Sequence, residues 1–278
     1  MLRIRESFAN IRFLLTLVCV FSSGLLLAQF SPPAGYPGST AVFKDSTVFV
    51  GWATGCELNI AWQNISDTAL GKANAGTASS AIGKAGENGT VSLGDGGTAT
   101  LTFAAPIFNG SGADFAIFEN AFIDSFLEFA FVEVSSDGIY YVRFPVISNI
   151  QDTAQTAGFG LSDCSLVYNL AGTFRANYGT PFDLEELKDS SGIDLDNINF
   201  IRIVDVVGSI NPLYATYDIY GNIINDPWPT DFPSSGFDLD AVGAIHQKPT
   251  GIEAVSENKF SVFPNPTKDF IGLPQTYD

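Results

Sequence analysis

The side chains in this chain best suited to chemistry are carboxylates. Glu119 closes an apolar run and is followed by Asn120, and Asp205 interrupts the apolar stretch Ile201–Val207. Asp238 and Asp240 lie two apart. An extended backbone therefore puts both on one face and Phe237, Leu239 and Ala241 on the other. A buried carboxylate needs a partner. For Asp205 that partner is Arg202 or a cation. Oxygen ligands drawn from several strands are what Ca2+ requires, at about six to eight oxygens. Glu119, Asn120, Asp205, Asp238 and Asp240 are thus candidate Ca2+ ligands. The competing reading is that they cap loops and pair with backbone N–H groups, Arg143, Arg175 or Arg202. No contiguous Ca2+ loop of the EF-hand type occurs.

Carboxylates also raise glycoside hydrolysis, which needs two of them about 5 Å or about 6.5–9.5 Å apart across a cleft. Glu119, Glu128 and Glu133 are candidates, although Glu133 alternates along its segment as a surface residue would. His246 is the only histidine. A multi-His metal centre is excluded, and a Ser–His–Asp arrangement would have to be built on that residue. Cys56 has no neighbouring His to form a thiolate pair. Gly94-Asp95-Gly96-Gly97 and Gly83-Lys84-Ala85-Gly86 lack the Lys and the helix of a phosphate loop and read as turns.

Gly208 to Ser235 is long and aromatic. Tyr217, Tyr220 and Trp228, with Asp226 and Asp231, are candidate ligand-binding residues: ring faces cover the apolar side of a pyranose while carboxylates take its hydroxyls. The alternative is a hairpin over Tyr217 to Asn225, turning at Gly221-Asn222, with the rings packed on the body.

Positioning these groups falls to a chain of 278 residues with a net charge of -17. That acidity argues against nucleic acid, whose binding relies on clustered Lys and Arg. Arg3, Arg5 and Arg12 followed by the apolar run Phe13 to Ala28 read as a signal peptide, residues 1–28, with cleavage expected after Ala28. The run is too short to span a bilayer, and no other stretch is apolar enough. Removing residues 1–28 takes away three Arg and one Glu and leaves a charge near -19. Two cysteines remain, Cys56 and Cys164. Export to an oxidising compartment leaves two outcomes open, one disulfide or two buried thiols.

Strand signals dominate residues 29–247. Ala41-Val42-Phe43 and Thr47 to Val50 flank a polar Lys44-Asp45-Ser46 turn. Thr98 to Phe103 alternates, and Asp114 to Phe118 is apolar enough to be buried on both faces. Phe129 to Ser135 and Ile139 to Phe144 flank Ser136-Asp137-Gly138, a strong hairpin signal. Asn199 to Val207 and Gly236 to His246 complete the set. One short helix is expected at Asp183 to Lys188, with Asp183 and Glu186 as a capping box. These elements predict an all-β, jelly-roll-like β-sandwich.

Four resemblances add to this reading. Phe260-Ser261-Val262-Phe263-Pro264-Asn265-Pro266-Thr267, after the Pro/Gly stretch that opens residues 248–278, resembles the start of a type IX secretion C-terminal sorting domain. That resemblance implies the type IX machinery as a partner and a cell-surface or secreted location. The segment departs from the family by ending at Asp278, as a truncated remnant. The hairpin Val132 to Tyr141 is similar to one in galactose-binding-like sandwiches. Val91 to Gly97, Gly112 to Asn120, Tyr178 to Leu184 and Gly236 to Gly243 together resemble a family of bacterial surface proteins with sorting tails. Asp67-Thr68-Ala69 and Asp152-Thr153-Ala154 resemble bacterial O-glycosylation signals. The functional expectation is an exported, non-catalytic binding module for glycan or another surface component, supported by Ca2+. The alternatives are a glycoside hydrolase and a structural surface-layer or adhesive component.

Overall fold

The computed structural model describes residues 30–249. The expected signal peptide and sorting remnant lie outside the described residues. Between them is an all-β sandwich of two antiparallel sheets.

The first sheet runs β1 (Val42–Phe43), β11 (Tyr178–Phe182), β6 (Phe115–Glu119), β13 (Asp238–Ala244) and β2 (Gly51–Trp52), with β4 (Val91–Ser92) beside the start of β13. The second runs β3 (Gly55–Asn59), β5 (Thr98–Ile107), β12 (Ile198–Asp205), β7 (Ala130–Ser135) and β8 (Val142–Arg143). A small ribbon pairs β9 (Ile147–Ser148) with β10 (Val167–Tyr168).

Alternation decides which side chains enter the core. On β12, Ile201 and Ile203 join the main apolar cluster between the sheets, with Leu101 and Ala99 of β5 and Val132 and Val134 of β7. On β6, Phe115 and Ile117 enter the same core while Ala116 and Phe118 face outward. The outward face of β6 is nonetheless covered, because Phe49 and Trp52 pack on Phe118 at 5.6 and 5.5 Å. This explains why β6 reads as continuously apolar. Phe115, Phe144 and Phe182 form a ring cluster at the opposite end of the core from Asp205.

Several local expectations are corrected. Val42-Phe43 and Thr47 to Val50 do not pair with each other. β1 takes β11 as its partner, with Val42 opposite Gly179, and Thr47 to Val50 is irregular. The hairpin after β7 forms, with Glu133 opposite Arg143, but its second strand is only Val142–Arg143. The Asp137 side chain gathers the N–H groups of Ile139 and Tyr140 at 2.8 and 2.9 Å, which widens the turn. The expected helix is a single 3-10 turn, Leu184–Leu187, one of four such turns among the described residues. Asp183 caps it through the Glu185 N–H, but Glu186 does not complete a capping box. Its carboxylate instead accepts from the Tyr168 hydroxyl and the Asn169 amide. Of the two outcomes left open for the cysteines, the structure holds free thiols. Cys56 packs on the main core and Cys164 sits in a separate cluster under the 145–170 loops, so both are free thiols.

Candidate functional site

One end of the sandwich concentrates acid. Glu119 continues the inward face of β6, and Asp205 continues the inward face of β12, so the last inward position of each strand is a carboxylate. Glu128, just before β7, and Asp226 join them. All four are buried.

Their partners differ in a way that matters. Asp205 is capped by two N–H groups, from Gly96 at 2.8 Å and Phe237 at 2.6 Å. Glu119 accepts from the Ala121 N–H at 2.7 Å. Asp226 accepts from the Phe129 N–H at 2.9 Å through Oδ2, and its Oδ1 has no partner. Burial pushes the Glu128 carboxyl well above the ordinary range, reinforced by the charges of Glu119, Asp238, Asp226 and Asp205. Burial likewise raises Glu119, Asp205 and Asp226, and again the neighbouring charges that raise them are carboxylates. Two glycines allow the close packing. A Cβ on Gly208 would lie 2.5 Å from the Asp226 Cβ, and one on Gly236 would lie 2.8 Å from Asp205 Oδ1.

Asp238 and Asp240 behave differently from this inner group. Asp238 bonds to the Ser92 hydroxyl and, at 3.3 Å, to the Asn120 amide. Burial pushes its carboxyl up to about 6. Asp240 receives the Gly86 N–H on both oxygens at 2.9 Å. A bulge separates Leu239 from Ala241 in the pairing with β6. The five residues expected as ligands therefore gather at one end of the fold, mostly as loop caps. Among the described residues, no three His, Cys, Asp or Glu side chains stand close enough together to hold one metal ion.

Arg202 does not serve Asp205. Three residues apart on a strand means opposite faces, and Arg202 points outward to Glu133. Glu133 is buried and pairs with both Arg143 and Arg202, at 2.7 and 2.5 Å. That location separates it from Glu119 and Glu128, so the three carboxylates considered for hydrolysis do not share a cleft. His246 pairs through Nδ1 with the buried Asp114 at 2.7 Å. No serine hydroxyl bonds to its ring among the described residues.

The 208–235 segment is mainly structural. Tyr217 and Ile223 form a bridge closing a hairpin, and the buried Asp218 organises its turn by accepting from the Tyr220 and Asn222 N–H groups. Tyr217 and Tyr220 stand exposed on it. Trp228 is half-buried elsewhere: its Nε1 donates to Asp95 at 2.9 Å and its ring tilts against Tyr214. Asp226 is buried in the acidic end. Asp231 accepts from Asn64 at 2.8 Å. The five residues do not form one aromatic platform.

A site not anticipated from sequence lies on the outer face of the second sheet. Loops cover the part around Phe131 and Val204. The remaining part is an open groove of about 410 Å3, lined by Glu57, Asn59, Thr98, Thr100, Tyr141 and Arg202 with Phe200 and Asp137. Glu57 and Asn59 are exposed. The Arg202 guanidinium lies 3.7 Å from the centre of the Tyr141 ring. The signal in the sequence was alternation itself: Thr98, Thr100 and Thr102 on β5 and Phe200 and Arg202 on β12 fall on the outward register.

Comparison with protein-family models, curated proteins and solved structures found no match to this chain. The class defined by the fold is an all-β sandwich. Among the described residues no helix is long and apolar enough to cross a membrane.

Proposed function

We propose that this chain is an exported, non-catalytic recognition module of the cell surface that binds a glycan in the groove on its second sheet. The observation that carries the reading is the make-up of that groove. It combines two carboxylates, a carboxamide, two threonine hydroxyls and the Arg202 guanidinium with the rings of Tyr141 and Phe200 in one concavity of about 410 Å3. Sugar hydroxyls need planar acceptors and donors, and sugar C–H faces need aromatic or apolar surface. Export rests on the signal-like residues 1–28 and on the sorting-domain resemblance of the tail.

Binding is favoured over hydrolysis by the groove's carboxylates. A general acid needs a raised pKa. Asp137 Oδ1 is committed to its own turn, where it accepts the Ile139 and Tyr140 N–H groups and the Ser135 hydroxyl. Neither groove carboxylate is buried, and a raised pKa of the kind a general acid needs comes from burial.

The test is a glycan array with the mature chain, followed by affinity electrophoresis of the Glu57→Ala/Asn59→Ala double variant. Both side chains are exposed, so the variant should melt like the wild type and lose at least tenfold in affinity. Absence of any glycan binding, or binding unchanged in the double variant, would remove the groove from consideration.

A further inference from the structure

We propose that the glycan held in the groove on the second sheet carries a free, protonated amine, and that Glu57 receives it. This inference rests on the reading of that groove as a glycan site and names the class of sugar it selects.

The register of the sheet supplies the first observation. Glu57 lies opposite Thr100, Thr100 opposite Arg202, Arg202 opposite Glu133, and Glu133 opposite Arg143. Directly opposed residues share a face, so these five side chains form one outward row across all five strands. The row crosses the groove, where Glu57, Thr100 and Arg202 line the same concavity as Tyr141 and Asp137.

Charge along this row is unevenly matched. Glu133 accepts from Nε and Nη2 of Arg143 at 2.9 and 2.7 Å, and from Nε and Nη2 of Arg202 at 2.6 and 2.5 Å. The Arg202 guanidinium also lies 3.7 Å from the centre of the Tyr141 ring. Arg202 is thus held by Glu133 on one side and Tyr141 on another. Glu57 stands two strands away, roughly 10 Å at the ordinary strand spacing, with Thr100 between them. Among the described residues, no Lys, Arg or His pairs with Glu57. It is the one charged member of the row whose charge has no partner.

The surroundings favour a cation at that position. Asp137 adds a second carboxylate to the groove, and its hydrogen bonds to its own turn leave its charge in place. The guanidinium charge of Arg202 is already opposed by Glu133. The chain as a whole carries -17. A uronate or sulfated sugar would meet repulsion from both groove carboxylates and from this wider field. An ammonium group gains a charge-assisted hydrogen bond to Glu57. Its remaining donors suit the Thr100 hydroxyl and the carboxamide of Asn59, which is two residues along β3 on the same face. An amino sugar presents that ammonium on the same ring as the hydroxyls and C–H faces that the rest of the groove fits. The competing occupant is a neutral sugar whose hydroxyl donates to Glu57.

The experiment uses the mature chain on an array of glucosamine and galactosamine oligosaccharides in paired free-amine and N-acetyl forms, with uronate-containing glycans alongside. The buffer is at about pH 6, above the ordinary carboxylate range and below that of an amine. Free-amine members should bind about three- to tenfold more tightly than their N-acetyl counterparts, and the difference should shrink as salt rises. Uronates should bind weakest. Glu57→Gln keeps the size of the side chain and removes its charge, so it should abolish the preference and leave N-acetyl binding unchanged. Glu87→Gln removes an exposed carboxylate outside the groove and should keep the preference. Equal binding of the paired members, a preference for uronates, or a preference that survives Glu57→Gln would overturn the amine assignment and leave the groove reading standing. Loss of the preference in Glu87→Gln as well would assign it to net charge and overturn the role of Glu57. Binding to no glycan of any class would overturn the groove reading, and this inference with it.

Discussion

Arg202 and Asp205 lie three residues apart on β12 and face opposite sides of the sheet. Arg202 reaches Glu133 on the outer face at 2.5 Å, while Asp205 turns into the sandwich and is capped by the Gly96 and Phe237 N–H groups. The strand thus separates two electrostatic regimes: on one side a carboxylate shared by two guanidinium groups, on the other a set of carboxylates that, among the described residues, pair with no Lys or Arg.

The outer regime predicts a mutational cost. Glu133→Ala leaves Arg143 and Arg202 without their common acceptor, although both retain aromatic neighbours in Phe131 and Tyr141. Both arginines are partly exposed, so water recovers some of the loss. The expected destabilisation is about 1–3 kcal/mol. Urea unfolding of the variant measures it, and a change below about 0.5 kcal/mol would mean the triad is energetically idle.

The inner regime predicts a pH dependence of unusual sign. Burial raises Asp238 from 3.8 in the unfolded chain to about 6, and it raises Glu119, Glu128, Asp205 and Asp226 as well. Between the unfolded and folded values the native state binds more protons than the unfolded state, so stability falls as pH rises. From Asp238 alone the protein should lose about 1.4 kcal/mol between pH 5 and pH 7.5, and the other raised carboxyls act in the same direction. Asp137, whose pKa is lowered, changes the balance only at lower pH. Urea midpoints across that range check the sign, and a midpoint that climbs with pH would contradict it.

Trp228 separates a structural tryptophan from a binding one. Trp228→Phe keeps a ring beside Tyr214 but removes the N–H given to Asp95, whose carboxylate then keeps the Ile65 N–H. A loss of about 1–2 kcal/mol in stability is expected, with glycan affinity unchanged. A selective fall in affinity without loss of stability would return the 208–235 segment to the binding site.

The thiols should be inert and unpaired. Burial pushes Cys56 and Cys164 each up to about 11, far from the thiolate that reacts. Reductant should leave the melting temperature unchanged. Ellman titration should find two thiols in the denatured mature chain and almost none in the native one. A mass consistent with a disulfide would refute this.

Periodicity carried the architecture. The alternation of β12, the unbroken apolar run of β6 and the Asp-Gly turn after β7 are local properties of an extended chain, so they were readable as an all-β sandwich. The acid-bearing ends of β6 and β12 were readable for the same reason, because a carboxylate closing an apolar strand stands out. Which partner each carboxylate received was decided by tertiary structure. Phe129 and Asp226 are far apart in sequence, as are Gly96 and Asp205, and such pairings arise only when loops from different strands meet at one end of the sandwich. The same holds for Cys56 and Cys164, which an even count left open and which packing assigned to separate clusters. The groove beside Tyr141 is likewise a property of what the loops leave uncovered. Local sequence specifies which face a side chain takes, because backbone geometry alternates residue by residue. Whether that face is covered, charged or open depends on which distant segment lands on it.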